Sequence, residues 1–385
     1  MSNLLEGKII AHKTTKKLIE MIPNGESMIA VLSHEDLDGV AVDGLIEKKV
    51  KAIINFKTSM SGKYEHKQVQ RLLSEGIPVY DLEEIDKPFH SHSFTGNVHF
   101  IKGDDLYEKR GKQSHHLCRL IPYTEEKITE RLQTAKENYQ QLFLDFMSNS
   151  LAYAKKEVPL FLAQYELPTC FQMLEGKQVL IVARNCSYEK DLFAIKRKIK
   201  KEKIIVMAVD GAADGLLKIG VKPDFIIGDM DSVSEKALLC GANLICHRYM
   251  SGQSPGAERV QSLNIMNWEE LQFVGTSEDL AIYGAYWSKA AHLFLIGCRS
   301  GMKEFLEKGR PGMGSSILSR IQAGEMITDL KGIHILGGGI DQAPIFSLDW
   351  FTQLSNMVLK WWAKYNVRTK LAQGWFQLRR KKESL

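Results

Sequence analysis

Apolar runs of strand length alternate with segments of helical periodicity in both halves of this 385-residue chain. In the first half, the runs 27–33, 51–56 and 77–82 are separated by helical patterns, and in the second half a similar series begins at 177–185. This alternation is typical of βαβ units, because parallel strands need a crossover, usually helical, between them. The pattern predicts an α/β fold with two Rossmann-like parallel-sheet domains.

A long helical pattern separates the two α/β regions. From Thr124 to about Phe161, apolar residues recur at helical steps. Such a helix could join the two regions or belong to the core of the first, and the sequence leaves both interpretations open. The predicted organisation is an N-terminal α/β domain at 1–122 with a small β appendage at 96–112, a connecting helix at 123–162, a second α/β domain at 163–335 and a tail at 336–385.

Composition restricts the class of protein. With 44% apolar and 25% charged residues the chain is expected to be globular, and a net charge of +5 does not argue for a nucleic-acid partner. The six cysteines form no CxxC pair, which indicates reduced thiols rather than a disulfide framework or a zinc site. The first residues do not resemble a signal peptide, and no uncharged apolar run is long enough for a bilayer. These features favour a cytoplasmic location.

Two carboxylates follow an apolar run in the second half. Gly228 ends the run, and Asp229 and Asp231 come next, with side chains that point the same way if the backbone is extended. An ordinary turn with Ser232 or Ser234 as a helix cap is one interpretation. The other is a ligand site, because like charges held together favour a cation between them, and ligands usually bind at the carboxyl ends of parallel strands.

Two other strand ends carry similar residues. Asp210 and Asp214 lie on either side of the turn residue Gly211, and "GTSEDL" places Thr276 and Asp279 at a helix start. Carboxylates at one edge of one sheet suit Mg²⁺, which prefers oxygen ligands, while helix N-termini supply N–H donors for phosphate. The three segments together predict a magnesium–polyphosphate site.

These motifs carry a family resemblance. The stretch "DGAADGLLKIGVKPDFIIGDMDSVS" resembles the signature of thiamin pyrophosphokinases. The chain as a whole resembles the SteA-type cytokinetic ring proteins, which embed such a domain, through "HEDLDGVAVDGLIEKKVKAIIN", "GDMDSVSEKALLCGA" and "EFLEKGRPGMGSS". The resemblance implies a thiamin-pyrophosphokinase-like second domain, Mg²⁺ and ATP or another nucleotide as cofactors, and cell-division proteins as partners.

The resemblance also implies roles for individual residues. It makes Asp210, Asp229 and Asp231 metal ligands and catalytic residues, with Asp279 as a further catalytic residue. The remaining residues of the two motifs, and basic residues that could hold phosphate, complete the candidate binding set: Gly211, Asp214, Gly228, Ser232, Thr276, Ser277, Arg184 and Arg310, with Lys308 as a third basic residue. Lone basic residues on a solvated surface are the alternative for the last group.

The chain also departs from the pyrophosphokinase pattern. Val274-Gly275 replaces the usual Lys-Asp pair of the third motif, the late Asp-His is missing, and no run of strands follows Gly332. Thiamin is therefore not expected as the acceptor. Two functions stay open: transfer of diphosphate from ATP to an unidentified acceptor, and non-catalytic nucleotide binding in bacterial cell division at the membrane.

A second ligand crevice is conceivable in the first half. "LSHEDLDG" and "NFKTSMSGKY" each follow a predicted strand, so that Asp36 and Asp38 could face Ser61 and Lys63. The alternative is a helix cap and a turn.

The C-terminal segment has a different character. An aromatic helical face at 346–362 is followed by basic residues as far as Lys382. This pattern suits peripheral binding to an anionic membrane surface, and a helix packed on a second subunit is the alternative. A homo-oligomer, most simply a dimer, is expected in either case.

Overall fold

Two sheets organise the part of the chain that this computed structural model describes, namely residues 4–23, 25–83, 98–163 and 165–337. The described residues up to Gly332 form one compact unit, and those from Ile333 onward belong to a second. Of the second unit only the short helix α12 (Ile333–Gly337) is described. The predicted aromatic and basic segment of the tail lies outside the described residues.

The first sheet is a closed barrel of seven strands in the order β1-β2-β3-β4-β7-β6-β5. Strands β1 to β4 run parallel, and β5, β6 and β7 close the barrel through antiparallel pairing with β4 and β1. The strands are β1 (Leu5–Ala11), β2 (Ile29–Leu32), β3 (Ala52–Asn55), β4 (Val79–Leu82), β5 (Val98–Lys102), β6 (Asp105–Arg110) and β7 (Gln113–Pro122). Helices α1 (Thr15–Met21), α2 (Gly39–Glu47) and α3 (Gln68–Ser74) connect the parallel strands.

The prediction of an open parallel sheet for the first half is therefore wrong. The stretch expected as an appendage supplies β5 and β6, which with β7 join the two edges that an open sheet would leave unpaired. Strand β1 was not predicted, because its sequence "LEGKIIA" alternates polar and apolar residues only weakly. Closure depends on pairing between segments far apart in sequence, and local periodicity does not report such pairing.

The long helix is confirmed as α4 (Glu125–Phe161), with 37 residues. The Thr124 side chain accepts a hydrogen bond from the Lys127 N–H, and two acidic residues lie in the first turn, so the N-terminus is well stabilised. Ile128 near its start packs in the core of the barrel helices, and Phe161 at its end packs in the core of the second sheet. No helix within the described ranges is both long enough and apolar enough to cross a membrane.

The second sheet has seven parallel strands in the order β12-β11-β10-β9-β8-β13-β14. Its strands are β8 (Gln178–Val182), β9 (Ile205–Val209), β10 (Phe225–Gly228), β11 (Asn243–Arg248), β12 (Trp268–Gln272), β13 (His292–Ile296) and β14 (Ile327–Asp329). Its helices are α5 (Tyr188–Glu202), α6 (Ala212–Lys218), α7 (Glu235–Leu238), α8 (Pro255–Ser262), α9 (Ser277–Trp287), α10 (Met302–Leu306) and α11 (Gly314–Ala323).

Both faces of this sheet are buried, which explains why its central strands are apolar runs rather than alternating patterns. The chain proceeds from β8 outward to β12 and then returns to β13 on the other side of β8. The strand order therefore reverses between β8 and β13. In open α/β sheets such a reversal leaves a crevice at the carboxyl ends of the strands.

Candidate functional site

A polar cleft of about 180 Å³, called the small cleft below, opens at the carboxyl ends of β8, β9, β10 and β13. Asp210, Asp229 and Asp231 line it together with Arg184 and Arg310. The other residues that line it include Gly211, Ser232, Thr276, Ser277, Glu278, Arg299 and Lys308. Segments predicted separately from sequence thus meet at one edge of the sheet.

The backbone at two strand ends fixes the carboxylate of Asp210. Gly228 has φ +143°, and a Cβ there would lie 1.9 Å from Asp210 Oδ1, so no side chain fits at this position without displacing the carboxylate. The N–H of Met230 donates to Asp210 Oδ1 at 3.2 Å. Asp210 and Met230 themselves have positive φ values of 46° and 59°, which are uncommon for residues with side chains and tend to occur at functional sites.

The charge of Asp229 perturbs the two neighbouring carboxylates, Asp210 and Asp231. Burial, followed by the charge of Asp229, raises the pKa of Asp210 to about 8. The same two causes raise the pKa of Asp231. A site that disfavours its own negative charge in this way is satisfied by a proton or by a cation.

The small cleft fits Mg²⁺ only if the protein and a bound phosphate group share its coordination. Among the described residues, no group of three or more His, Cys, Asp or Glu side chains is arranged to hold a metal ion. Mg²⁺ commonly uses one or two carboxylates and completes its shell with phosphate oxygens and water. The crowded carboxylates and the open, polar lining of the small cleft agree with that mode of binding.

Two cationic side chains in the small cleft are available to an anion. No described residue forms a hydrogen bond or an ion pair with the guanidinium group of Arg184 or Arg310. Arg299, in contrast, is paired with the buried Glu278, and Lys308 Nζ lies 2.9 Å from Asp38 Oδ2. Arg184 and Arg310 are therefore the candidates for direct contact with phosphate.

The sequence did not single out Tyr249. Its hydroxyl, beyond the end of β11, donates to Asp229 Oδ2 at 3.1 Å. Burial and the nearby Asp229 raise the pKa of Tyr249 to about 12, so the phenol stays a donor at neutral pH. A Tyr at a strand end is a weak signal in sequence, and only the adjacency of β10 and β11 gives it meaning.

Asp279 does not line the small cleft. Its Oδ2 accepts hydrogen bonds from Thr276 Oγ1 at 2.9 Å, Ser315 Oγ at 2.7 Å and Ser316 Oγ at 3.0 Å. Asp279 Oδ2 also accepts from the Thr276 N–H at 3.2 Å, and the Asp279 N–H donates to Thr276 Oγ1 at 3.2 Å, which forms a capping box at the start of α9. Thr276 and Ser277 of this helix start line the small cleft. The geometry favours a positioning role over the catalytic role implied by the resemblance.

Three other predicted residues shape the site. Ser232 Oγ accepts from the Gly211 N–H at 2.9 Å, which ties the turn after β9 to the loop after β10. Asp214 accepts from the Ser234 N–H at 3.0 Å and lines a neighbouring, larger cleft rather than the small one. Gly228 acts through its lack of a side chain.

The two acids named for the crevice in the first half are engaged in internal hydrogen bonds. Asp36 accepts from the Ser61 N–H at 2.7 Å and the Ser61 hydroxyl at 2.8 Å. Asp38 accepts from the Ala41 N–H at 2.7 Å and caps α2. A helix cap is thus present, but at Asp38 rather than at Ser33 or Asp36, which were the residues expected to cap, and Asp36 instead binds the Ser61 loop.

Comparison with known proteins gives little further information. No family model matches the chain, and no curated protein matches it. Among solved structures, the thiamine pyrophosphokinase from Bacillus subtilis is similar in part, with 18% identity and a TM-score of 0.25 over 40% of this chain and 59% of that one. The chain thus matches about three fifths of the length of that structure. A similarity of this extent carries no argument, so function is inferred from the site.

Proposed function

We propose that the small cleft binds the polyphosphate end of a nucleotide, or of another diphosphate compound, together with Mg²⁺. The observation that carries this proposal is the convergence of three mutually repelling carboxylates and two unpaired guanidinium groups in one cleft of about 180 Å³. In such a site the carboxylates bind the metal, and the metal and the arginines bind phosphate oxygens. The positive charges of the metal and the arginines then neutralise the negative charges of the carboxylates and the phosphates.

Each residue has a distinct role in this proposal. Asp229 and Asp231, with Asp210, would hold Mg²⁺, which when bound neutralises phosphate charge. Arg184 and Arg310 bind the outer phosphate oxygens. The first turn of α9, an 11-residue helix, presents N–H groups at Ser277 beside the cleft.

Diphosphate transfer from ATP to an acceptor hydroxyl is the activity that suits this site best. Phosphoryl-type transfer requires positioning and charge neutralisation more than covalent participation of the protein. The similarity of the Asp210 and Asp229 motifs to the thiamin pyrophosphokinase signature supports this activity, and the missing Asp-His argues against thiamin as acceptor.

A non-catalytic nucleotide-binding module in bacterial cell division is the second candidate. The position of Asp279 favours it, because that carboxylate is occupied in capping α9. The resemblance to SteA-type proteins and the basic, aromatic tail support a place at the membrane. Exposed apolar side chains on α4, among them Tyr139, Phe143 and Leu151, support a homodimer.

Isothermal titration calorimetry with ATP, with and without Mg²⁺, tests the proposed site. We expect Mg²⁺-dependent binding that Asp231→Asn abolishes without loss of the fold. Glu235→Gln is the matched control, because Glu235 is an exposed acid of the neighbouring helix α7 and does not line the small cleft. Equal affinity in wild type and Asp231→Asn would contradict the assignment.

A further inference from the structure

A second cleft, called the large cleft below, lies between the barrel helices and the open sheet. Its volume is about 870 Å³, within the range of sites for small organic ligands. The barrel contributes Lys13, Lys16 and Val40, and the sheet side contributes Tyr188 and Lys190. The segment "LSHEDLDG", for which the sequence left a ligand crevice open, contributes His34, Glu35 and Asp38 to the lining, and the proposed phosphate site does not account for this space.

The two clefts share part of their lining. Arg184, Gly211 and Lys308 line both of them. A molecule with phosphates in the small cleft can therefore extend past Arg184 into the large cleft. The small cleft, at about 180 Å³, accommodates a diphosphate but not the organic group that carries it.

The charges of the large cleft favour an anionic or hydrogen-bond-accepting ligand. Most of its acids already have partners: Glu20 pairs with Lys16, Asp38 with Lys308, Asp43 with Arg71, and Glu47 and Glu189 with Lys218. Lys13 and Lys190 have no hydrogen-bond or ion-pair partner among the described residues, and the Arg184 side chain has none either. Glu35 has no such partner and Asp214 accepts only from Ser234, so acids and bases balance over the lining as a whole. The unpaired ammonium groups of Lys13 and Lys190 nevertheless remain available to donate hydrogen bonds to a polar or anionic group.

Lys16 links the barrel to the phosphate site. It projects from α1 and its Nζ donates to the backbone carbonyl of Asp231 at 3.3 Å. The barrel thus places an ammonium group beside a proposed metal ligand, on the side of the large cleft.

We propose that one organic diphosphate ester spans both clefts, with its diphosphate in the small cleft and its polar or anionic organic group in the large cleft. Lys16 binds the phosphate that carries the ester bond, where the two clefts meet. This inference rests on the proposed function, because it takes the diphosphate position from there. The inference goes beyond the proposed function by assigning part of the ligand site to residues of the barrel domain.

The test compares inorganic pyrophosphate, which needs the small cleft and the Lys16 ammonium group at its margin, with ADP, which also needs the rest of the large cleft. Both are titrated calorimetrically into the full chain with Mg²⁺. Thr14→Trp fills the large cleft from an exposed position whose side chain makes no capping hydrogen bond, so the fold should tolerate it. We expect it to weaken ADP about tenfold or more and to leave pyrophosphate unchanged.

Charge variants give a second readout. Lys190→Ala should weaken ADP alone, and Lys16→Gln should weaken both ligands about tenfold, the usual effect of losing a hydrogen bond to a charged group. The matched controls are Lys200→Ala on α5 and Lys17→Ala on α1, which lie outside both clefts. Neither should change the affinity of either ligand.

The outcomes separate the two proposals. Wild-type binding of both ligands with ADP affinity unchanged in Thr14→Trp and Lys190→Ala overturns the spanning ligand but leaves the phosphate site intact. Failure of the wild type to bind either ligand overturns the proposed function, and the spanning ligand with it.

Discussion

Gly228→Ala should damage the site and the fold together. The Cβ would lie 1.9 Å from Asp210 Oδ1, so the carboxylate would have to move by roughly 1.5 Å to reach ordinary contact. The backbone φ of +143° is also unfavourable for alanine. Rare backbone conformations cost about 1–3 kcal/mol, and overpacking costs about 1–3 kcal/mol. We therefore expect the free energy of unfolding to fall by about 2–6 kcal/mol.

Gly76→Ala is the matched control for backbone strain. Gly76 has φ +75°, and a Cβ there would meet no atom within 4 Å, so the cost is that of the left-handed backbone, about 1–2 kcal/mol. Urea denaturation measures both variants, and calorimetry measures their affinity for ATP with Mg²⁺. Only Gly228→Ala should weaken the ligand, because only there does the carboxylate of Asp210 move.

Two results would refute this reasoning. Equal destabilisation in the two variants would show that contact with Asp210 costs nothing. Unchanged ligand affinity in a folded Gly228→Ala protein would show that the position of Asp210 does not matter for binding.

Three further predictions concern pH, the acceptor and the tail. The raised pKa of Asp210 means that the folded chain favours the protonated carboxyl group, so the stabilisation from this proton is present below about pH 4 and is lost as the pH rises through about 8. Without metal, the Tm should therefore fall between about pH 4 and pH 8. Added Mg²⁺ should restore the Tm, and Asp210→Asn should flatten the dependence of Tm on pH. Incubation with ATP, Mg²⁺ and thiamin should give little or no thiamin diphosphate, and turnover on the order of 1 per second would show that thiamin is an acceptor. The full chain should co-sediment with anionic vesicles in a salt-sensitive manner, and a chain truncated after Gly339 should not. If the truncation instead dissociates an oligomer, the tail is a subunit-packing segment.

Much of the second sheet could be predicted from sequence. Its central strands are buried on both faces, so they form continuous apolar runs, and the segments between them carry helical periodicity. The carboxylates of the small cleft could also be named, because Asp210, Asp229 and Asp231 follow such runs directly. The predicted strand at 177–185 is confirmed as β8, and the helical pattern from Thr124 to about Phe161 is confirmed as α4.

The barrel could not be predicted in the same way. Its first strand and its closing strands are partly exposed and polar, and their partners lie up to about ninety residues away in sequence. Two residues of the site could not be predicted for the same reason. Tyr249 and Lys16 contact the acidic segment only because strands or helices remote in sequence are adjacent in space.

The sequence by itself determined the chemistry available to this protein: carboxylates and a glycine at strand ends, and basic residues that could hold phosphate. Tertiary structure alone decided which of these act together. It turned Asp279 toward the hydroxyl groups of Thr276, Ser315 and Ser316, and it left Arg184 and Arg310 without partners in the part of the chain that the structure describes. It also brought the barrel beside the sheet to form the large cleft. The physical reason is that local periodicity fixes which face of each element is buried, whereas strand order and helix packing fix which side chains from different elements come within hydrogen-bonding distance.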